Sequence, residues 1–182
     1  MTAERELEVI AHVAASPRFV ISILVTEPAG VLTGTPSVDR ERFVAELAVE
    51  IGGGTSFAHE VDVTFGPLPA ERAPGRFAIS WRARDHQGAF PVFVGHLDVE
   101  PDGNGSRLCL QGRYSLPLGA VGAAGDRLLG HRVARSSIRG LLQAAAGRID
   151  AMRVRERTEA PVFPRPADVA VIEHMPTELY LG

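Results

Sequence analysis

Between Leu128 and Met152 the residues Leu128, Leu129, Val133, Ile138, Leu141, Leu142, Ala145, Ile149 and Met152 fall mostly three or four apart, which sets them on one stripe of a helix. Arg127, Arg132, Arg135, Arg139 and Arg148 fall largely off that stripe. A helix this long with one apolar face must lie on a partner surface, and the strand-like stretches before it can supply one. At 182 residues the chain fits one domain that buries roughly 70% of its unfolded surface, enough for a core and an internal pocket.

The stretch from Leu7 to Val13 alternates Leu7, Val9, Ala11 and Val13 against Glu6, Glu8, Ile10 and His12, as a first strand with one face inward should. Ser16-Pro17 predicts a helix start, with Ser16 as N-cap and Pro17 at the first helical position. The spacing then allows a short helix from Phe19 to Val25, although β-branched Val20, Ile21, Ile23 and Val25 suit a buried strand equally. Glu27-Pro28-Ala29-Gly30 reads as a break, and Gly34 to Ser37 as loop.

Five strands are predicted next. Phe43, Ala45, Leu47, Val49 and Ile51 alternate with polar or small residues, and the Gly52-Gly53-Gly54 turn leads into Phe57, His59, Val61, Val63 and Phe65 as the return arm of a hairpin. Phe77, Ile79, Trp81 and Ala83 mark the third, Phe93, Gly95, Leu97 and Val99 the fourth, and Leu108, Leu110, Gly112 and Tyr114 the fifth. Asp85-His86-Gln87-Gly88 and Asp102-Gly103-Asn104-Gly105 are turns rich in residues that tolerate positive φ. The result is an antiparallel meander. Gly112 to Gly125 then forms a corner, and Asp126 is placed to cap the long helix. From 153 to 182 the chain carries Pro161, Pro164, Pro166 and Pro176 and reads as a tail, with Val169 to Ile172 as a candidate edge strand.

A formal net charge of -3 with pI near 6.1 speaks against a nucleic-acid partner, which needs a basic face. All 19 basic side chains are Arg, which follows biased composition more than function. The single cysteine, Cys109, excludes an intrachain disulfide and a multi-cysteine zinc site. MTAERELEVI has no basic leader before an apolar core, and no apolar run reaches the ~18 residues of a membrane span, so the expected location is cytoplasmic. The histidines form no HExxH or clustered ligand set, and no metal or cofactor is expected. Gly119, Gly122 and Gly125 match neither GxGxxG nor a Walker loop and serve the corner instead.

The order of elements, with Ser16-Pro17 after the first strand, then FVGHLDVEP and LCLQGRYSLPLGAVGAAGD and the long amphipathic helix, resembles the SRPBCC superfamily related to START domains, over roughly Leu7 to Met152. The resemblance implies an α+β helix-grip fold: a curved antiparallel β-sheet wrapped around a long C-terminal α-helix, as a single domain over 1–152 followed by a Pro-containing tail over 153–182. It also favours the helical reading of the Phe19 stretch. The resemblance further implies a deep cavity between sheet and helix for hydrophobic ligands, as in carriers of lipids and sterols, polyketide aromatases and cyclases, coenzyme Q-binding proteins and the ligand-binding domains of ring-hydroxylating oxygenases; the sequence departs from the last group in lacking a metal-ligand cluster.

The expected function is therefore binding or carrying a hydrophobic small molecule, such as a lipid, isoprenoid or polyketide-like compound. The residues expected to line the site are Phe43, Leu47, His59, Val61, Phe77, Ile79, Trp81, Phe93, Leu97, Leu110, Tyr114, Val133 and Leu141. A cyclase, aromatase or dehydratase using His59 or Tyr114 is the alternative, although no catalytic residue is assigned. A structural or interaction domain, docking its tail on a partner or on a second copy as a homodimer, is a third. His59 fits a satisfied core histidine better than a ligand anchor, and Trp81 and Tyr114 suit plain core as well as a pocket wall. His96 and Asp98, with Arg82 and Gln111 expected near them, fit the solvent side of the sheet better than a catalytic dyad. Cys109 shares that face and has no basic partner to activate it.

Overall fold

The computed structural model describes residues 4–50, 56–68, 75–85, 92–115 and 126–159. Strand β1 (Glu4–Val13) leads to helices α1 (Pro17–Thr26) and α2 (Pro28–Thr33), then to strands β2 (Arg42–Glu50), β3 (Ser56–Pro67), β4 (Arg76–Ala83), β5 (Val92–Asp102) and β6 (Gly105–Ser115), and last to helix α3 (Asp126–Glu159). All six strands form one antiparallel sheet in the order β1-β6-β5-β4-β3-β2. The two short helices thus carry the chain from one edge of the sheet to the other, and the meander brings it back beside β1. The fold is α+β, as the helix-grip resemblance implies.

The sheet is curved because of how α3 meets it. β1 and β2 lie five strand spacings of about 4.8 Å apart along the sheet, yet α3 approaches both edge strands and α2 far more than the strands between. A flat sheet crossed by a helix would offer its middle strands as readily as its edges. Curling brings both edges to α3 and leaves the depth over β3, β4 and β5 to side chains. The described buried stripe of α3, Ile138, Leu142, Ala145 and Ile149, keeps the predicted spacing.

The β1–α1 corner is tied from two sides. Asp150 Oδ1 accepts from Ala14 N at 2.8 Å, Arg153 Nη1 donates to Ala14 O at 2.6 Å, and Ser106 Oγ donates to Ala15 O at 2.7 Å. Backbone groups that would otherwise be orphaned are satisfied by α3 and β6. Ser16 caps α1 and Pro17 opens it, as the sequence predicts. The break expected at Glu27-Pro28-Ala29-Gly30 needs correction. Glu27 does end α1, but Pro28 starts α2, because a proline at the first helical position needs no N–H partner. Pro28 to Leu32 are all buried, and Arg148 on α3 donates to the carbonyls of Val31 and Leu32 at 3.2 and 3.1 Å before Gly34 turns out of the helix at φ 83°.

Helix α3 continues through Glu159, past Met152, so the first residues of the expected tail are helical. Of the expected corner, Gly112 to Ser115 belong to β6, while residues 116–125 and Val169 to Ile172 lie outside the described residues. Asp126 opens the helix, and its side chain also lies outside them. Gly140 and Gly147 are exposed on α3, with open space where a Cβ would sit. Gly140→Ala and Gly147→Ala should each stabilise the domain by about 0.5–1 kcal/mol, since glycine loses the most backbone entropy in a helix. A thermal melt reads this directly; a lower melting temperature would mean that this face packs against something.

Candidate functional site

Period-2 alternation sorts the strand residues into two faces. Toward α3 point Leu7, Val9, Ala11 and Val13 of β1, Phe43, Ala45 and Leu47 of β2, Val61, Val63 and Phe65 of β3, Phe77, Ile79, Trp81 and Ala83 of β4, Phe93, Leu97 and Val99 of β5, and Leu108, Leu110 and Tyr114 of β6, all buried. Ten of the expected site residues, Phe43, Leu47, Val61, Phe77, Ile79, Trp81, Phe93, Leu97, Leu110 and Tyr114, belong to this surface, and none of the ten exposes more than 7%. His59 and Leu141 are half-buried. Val133 is on α3, with its side chain outside the described residues.

The register arranges these residues in rows. Phe43, Val63, Trp81, Phe93, Tyr114 and Arg5 stand opposite one another in turn across all six strands. Within that row the Trp81 and Phe93 rings stack with centroids 4.1 Å apart, and in neighbouring rows Phe65 and Phe77 stack at 5.1 Å. Beside Phe93, Gly95 pairs directly with Gly112. A Cβ built on Gly112 would meet Phe93 Cζ at 2.5 Å, so the ring lies over two backbones that approach closely because neither carries a side chain.

Polar groups are sparse on this surface. Burial pushes the Tyr114 phenol above its ordinary pKa, with a smaller opposing pull from Arg5, so the group stays protonated at neutral pH. His59 stands opposite Leu47 near the far edge of the sheet. Along the sheet it is three strands from Tyr114, about 14 Å at the usual spacing, and two rows removed. The fold therefore does not place these two side by side. Arg5 was missed because β1 was expected to begin at Leu7. Stepping the alternation back by two residues would have found it.

The outer face is laced by charge. Asp98, only 8% exposed, accepts from Arg76 Nε at 2.6 Å and Arg76 Nη2 at 2.9 Å, and His96 Nε2 is 3.4 Å from the same carboxylate. The hydrogen bond to Asp98 holds the Arg76 guanidinium yet more firmly charged. Arg82, expected near His96, instead stands opposite Asp62, because alternation fixes a face and leaves the row open. Gln111 does pair with His96. Cys109 is buried here beside Glu8 and Gln111, and desolvation raises its thiol pKa, which keeps it an unreactive thiol at neutral pH. Farther along this face an open groove of about 570 Å³ runs over Val44, Asp62, Thr64, Arg82, Val92 and Val94. Among the described residues no group of three or more His, Cys, Asp or Glu could hold a metal ion, and no helix is long and apolar enough to cross a membrane.

No protein-family model matches the chain, and no curated protein matches it. Solved structures do. A protein from Thermus thermophilus is 19% identical with a TM-score of 0.54, the match covering 81% of this chain and 99% of that one. Norcoclaurine synthase from Thalictrum flavum, solved in complex with dopamine and hydroxybenzaldehyde, is 13% identical with a TM-score of 0.51, over 85% of this chain and 88% of the synthase. A truncated form of that synthase gives 12% and 0.50, over 80% and 92%. Identities this low speak to architecture alone, and the architecture agrees with the topology above: the chain has a helix-grip fold.

Proposed function

We propose that the protein binds a hydrophobic small molecule, such as a lipid, isoprenoid or polyketide-like compound, between the inner face of the sheet and α3. The observation that carries this reading is that α3 meets the sheet at its two edges while the strands between present a continuous aromatic and aliphatic surface. Apolar walls with few polar groups are the ordinary make-up of small-molecule sites. The Thalictrum synthase, holding dopamine and hydroxybenzaldehyde, lends support that this fold can enclose small organic molecules. The wall is closed to water in the described state, so uptake requires α3 or the wall side chains to move, and association should be slow. Acid–base catalysis has less support, since His59 and Tyr114 lie apart and the Cys109 thiol faces outward.

Native mass spectrometry of the purified protein, followed by extraction, tests the reading. A co-purifying apolar compound is expected, and adding it back should shift the emission of Trp81, the only tryptophan. No extracted compound, together with unchanged Trp81 emission across a panel of lipids, isoprenoids and aromatic polyketides, would sink it.

A further inference from the structure

Among the described residues of the sheet's inner face, Arg5 is a charge that an apolar wall does not need. On β1 the inward alternation runs Arg5, Leu7, Val9, Ala11, Val13; the four apolar residues are buried and Arg5 is half-buried. Its register partner is Tyr114, which is 1% exposed. The two are close enough for the guanidinium charge to act on the phenol. Among the described residues no carboxylate forms an ion pair with Arg5, and Glu6 and Glu8 on its own strand alternate onto the outer face.

A partly desolvated guanidinium without a carboxylate partner is an uncompensated charge, and an incoming anion relieves it. The planar fork of Arg matches a carboxylate with two parallel hydrogen bonds. What lies beyond that pair is apolar. The row that begins with Arg5 and Tyr114 continues through Phe93 and Trp81 to Val63 and Phe43, so one end of a straight track across the sheet is cationic and the rest is aromatic or aliphatic.

We propose that the ligand is an amphipathic carboxylate, with its head group held by Arg5 and its apolar body lying along Phe93, Trp81 and Phe43. This rests on the binding reading above and narrows it from any hydrophobic molecule to one with an acidic head. The body can be an acyl chain or an aryl group, and the same charge recognises both.

Calorimetry on the full chain with two acid/alcohol pairs tests it: dodecanoate against dodecan-1-ol, and 4-phenylbutyrate against 4-phenylbutan-1-ol. At least one acid should bind about tenfold or more tightly than its alcohol, the scale of a charge-assisted bidentate contact, and the preferred pair identifies the body as acyl or aryl. Arg5→Gln should bring that preference within about twofold, and Arg5→Lys, which keeps the charge without the fork, should retain part of it. Equal binding of acid and alcohol by the unmodified protein overturns the carboxylate assignment while leaving the apolar site standing. A preference that survives in Arg5→Gln also overturns it. If none of the four compounds binds, the carboxylate assignment falls, and the extraction and Trp81 emission panel above decides the binding reading separately.

Discussion

Gly95→Val is expected to be among the most damaging single substitutions on the inner face, costing at least about 3 kcal/mol, the upper end for overpacking a closed core. The reason is backbone geometry. A Cβ on Gly95 collides with the Gln111 carbonyl oxygen and meets Gly112 Cα at 2.7 Å and Phe93 Cζ at 2.8 Å. Side chains can rotate away, but a carbonyl in the ladder cannot move without parting β5 from β6, two central strands of the sheet. For a domain of this size that loss is roughly 6–12 °C in melting temperature. Gly66→Ala on β3 serves as the control, since nothing lies within 4 Å of its Cβ position and little change is expected there. A Gly95→Val protein that melts within 2 °C or so of the original, the range of an ordinary surface change, would show that β5 and β6 do not approach as described.

That glycine pair also marks how far the sequence could be read. Alternation placed Gly95 and Gly112 on the apolar faces of their strands, and it sorted Phe43, Trp81, Phe93 and Tyr114 to the same interior, because side-chain direction in a strand depends only on parity. Which residues stand opposite one another depends on register, and register comes from turn lengths and packing that parity does not contain. Hence the face of Asp98 was legible, while its partner Arg76 was not, and Arg82 was placed beside His96 in its stead. The same limit hid the adjacency of Gly95 and Gly112, and of Arg5 and Tyr114. Helix α2 was obscured differently. Pro28 stops α1 and starts α2, and a proline at such a junction looks like a break from either side.

Phe93→Ala should destabilise the domain by about 3–5 kcal/mol, the usual cost of removing a buried phenylalanine ring. Phe93 is 1% exposed, its ring covers the glycine pair and it stacks on Trp81, so three neighbours lose their packing at once. The stack alone contributes about 0.5–1.5 kcal/mol beyond area burial. Phe93→Leu keeps part of the volume and should cost less, which separates lost packing from a general intolerance of change at this position. Because Trp81 is the only tryptophan, its emission should shift in both variants, and denaturant titration followed at that signal gives the two free energies directly. The alanine variant also leaves a dry, apolar void of the kind that takes up small hydrocarbons. Added toluene should therefore raise its melting temperature by more than that of the unmodified protein. A loss below about 1 kcal/mol for Phe93→Ala would mean that the inner face is loosely filled at this point. In that case the ring is already free to yield its place to a ligand.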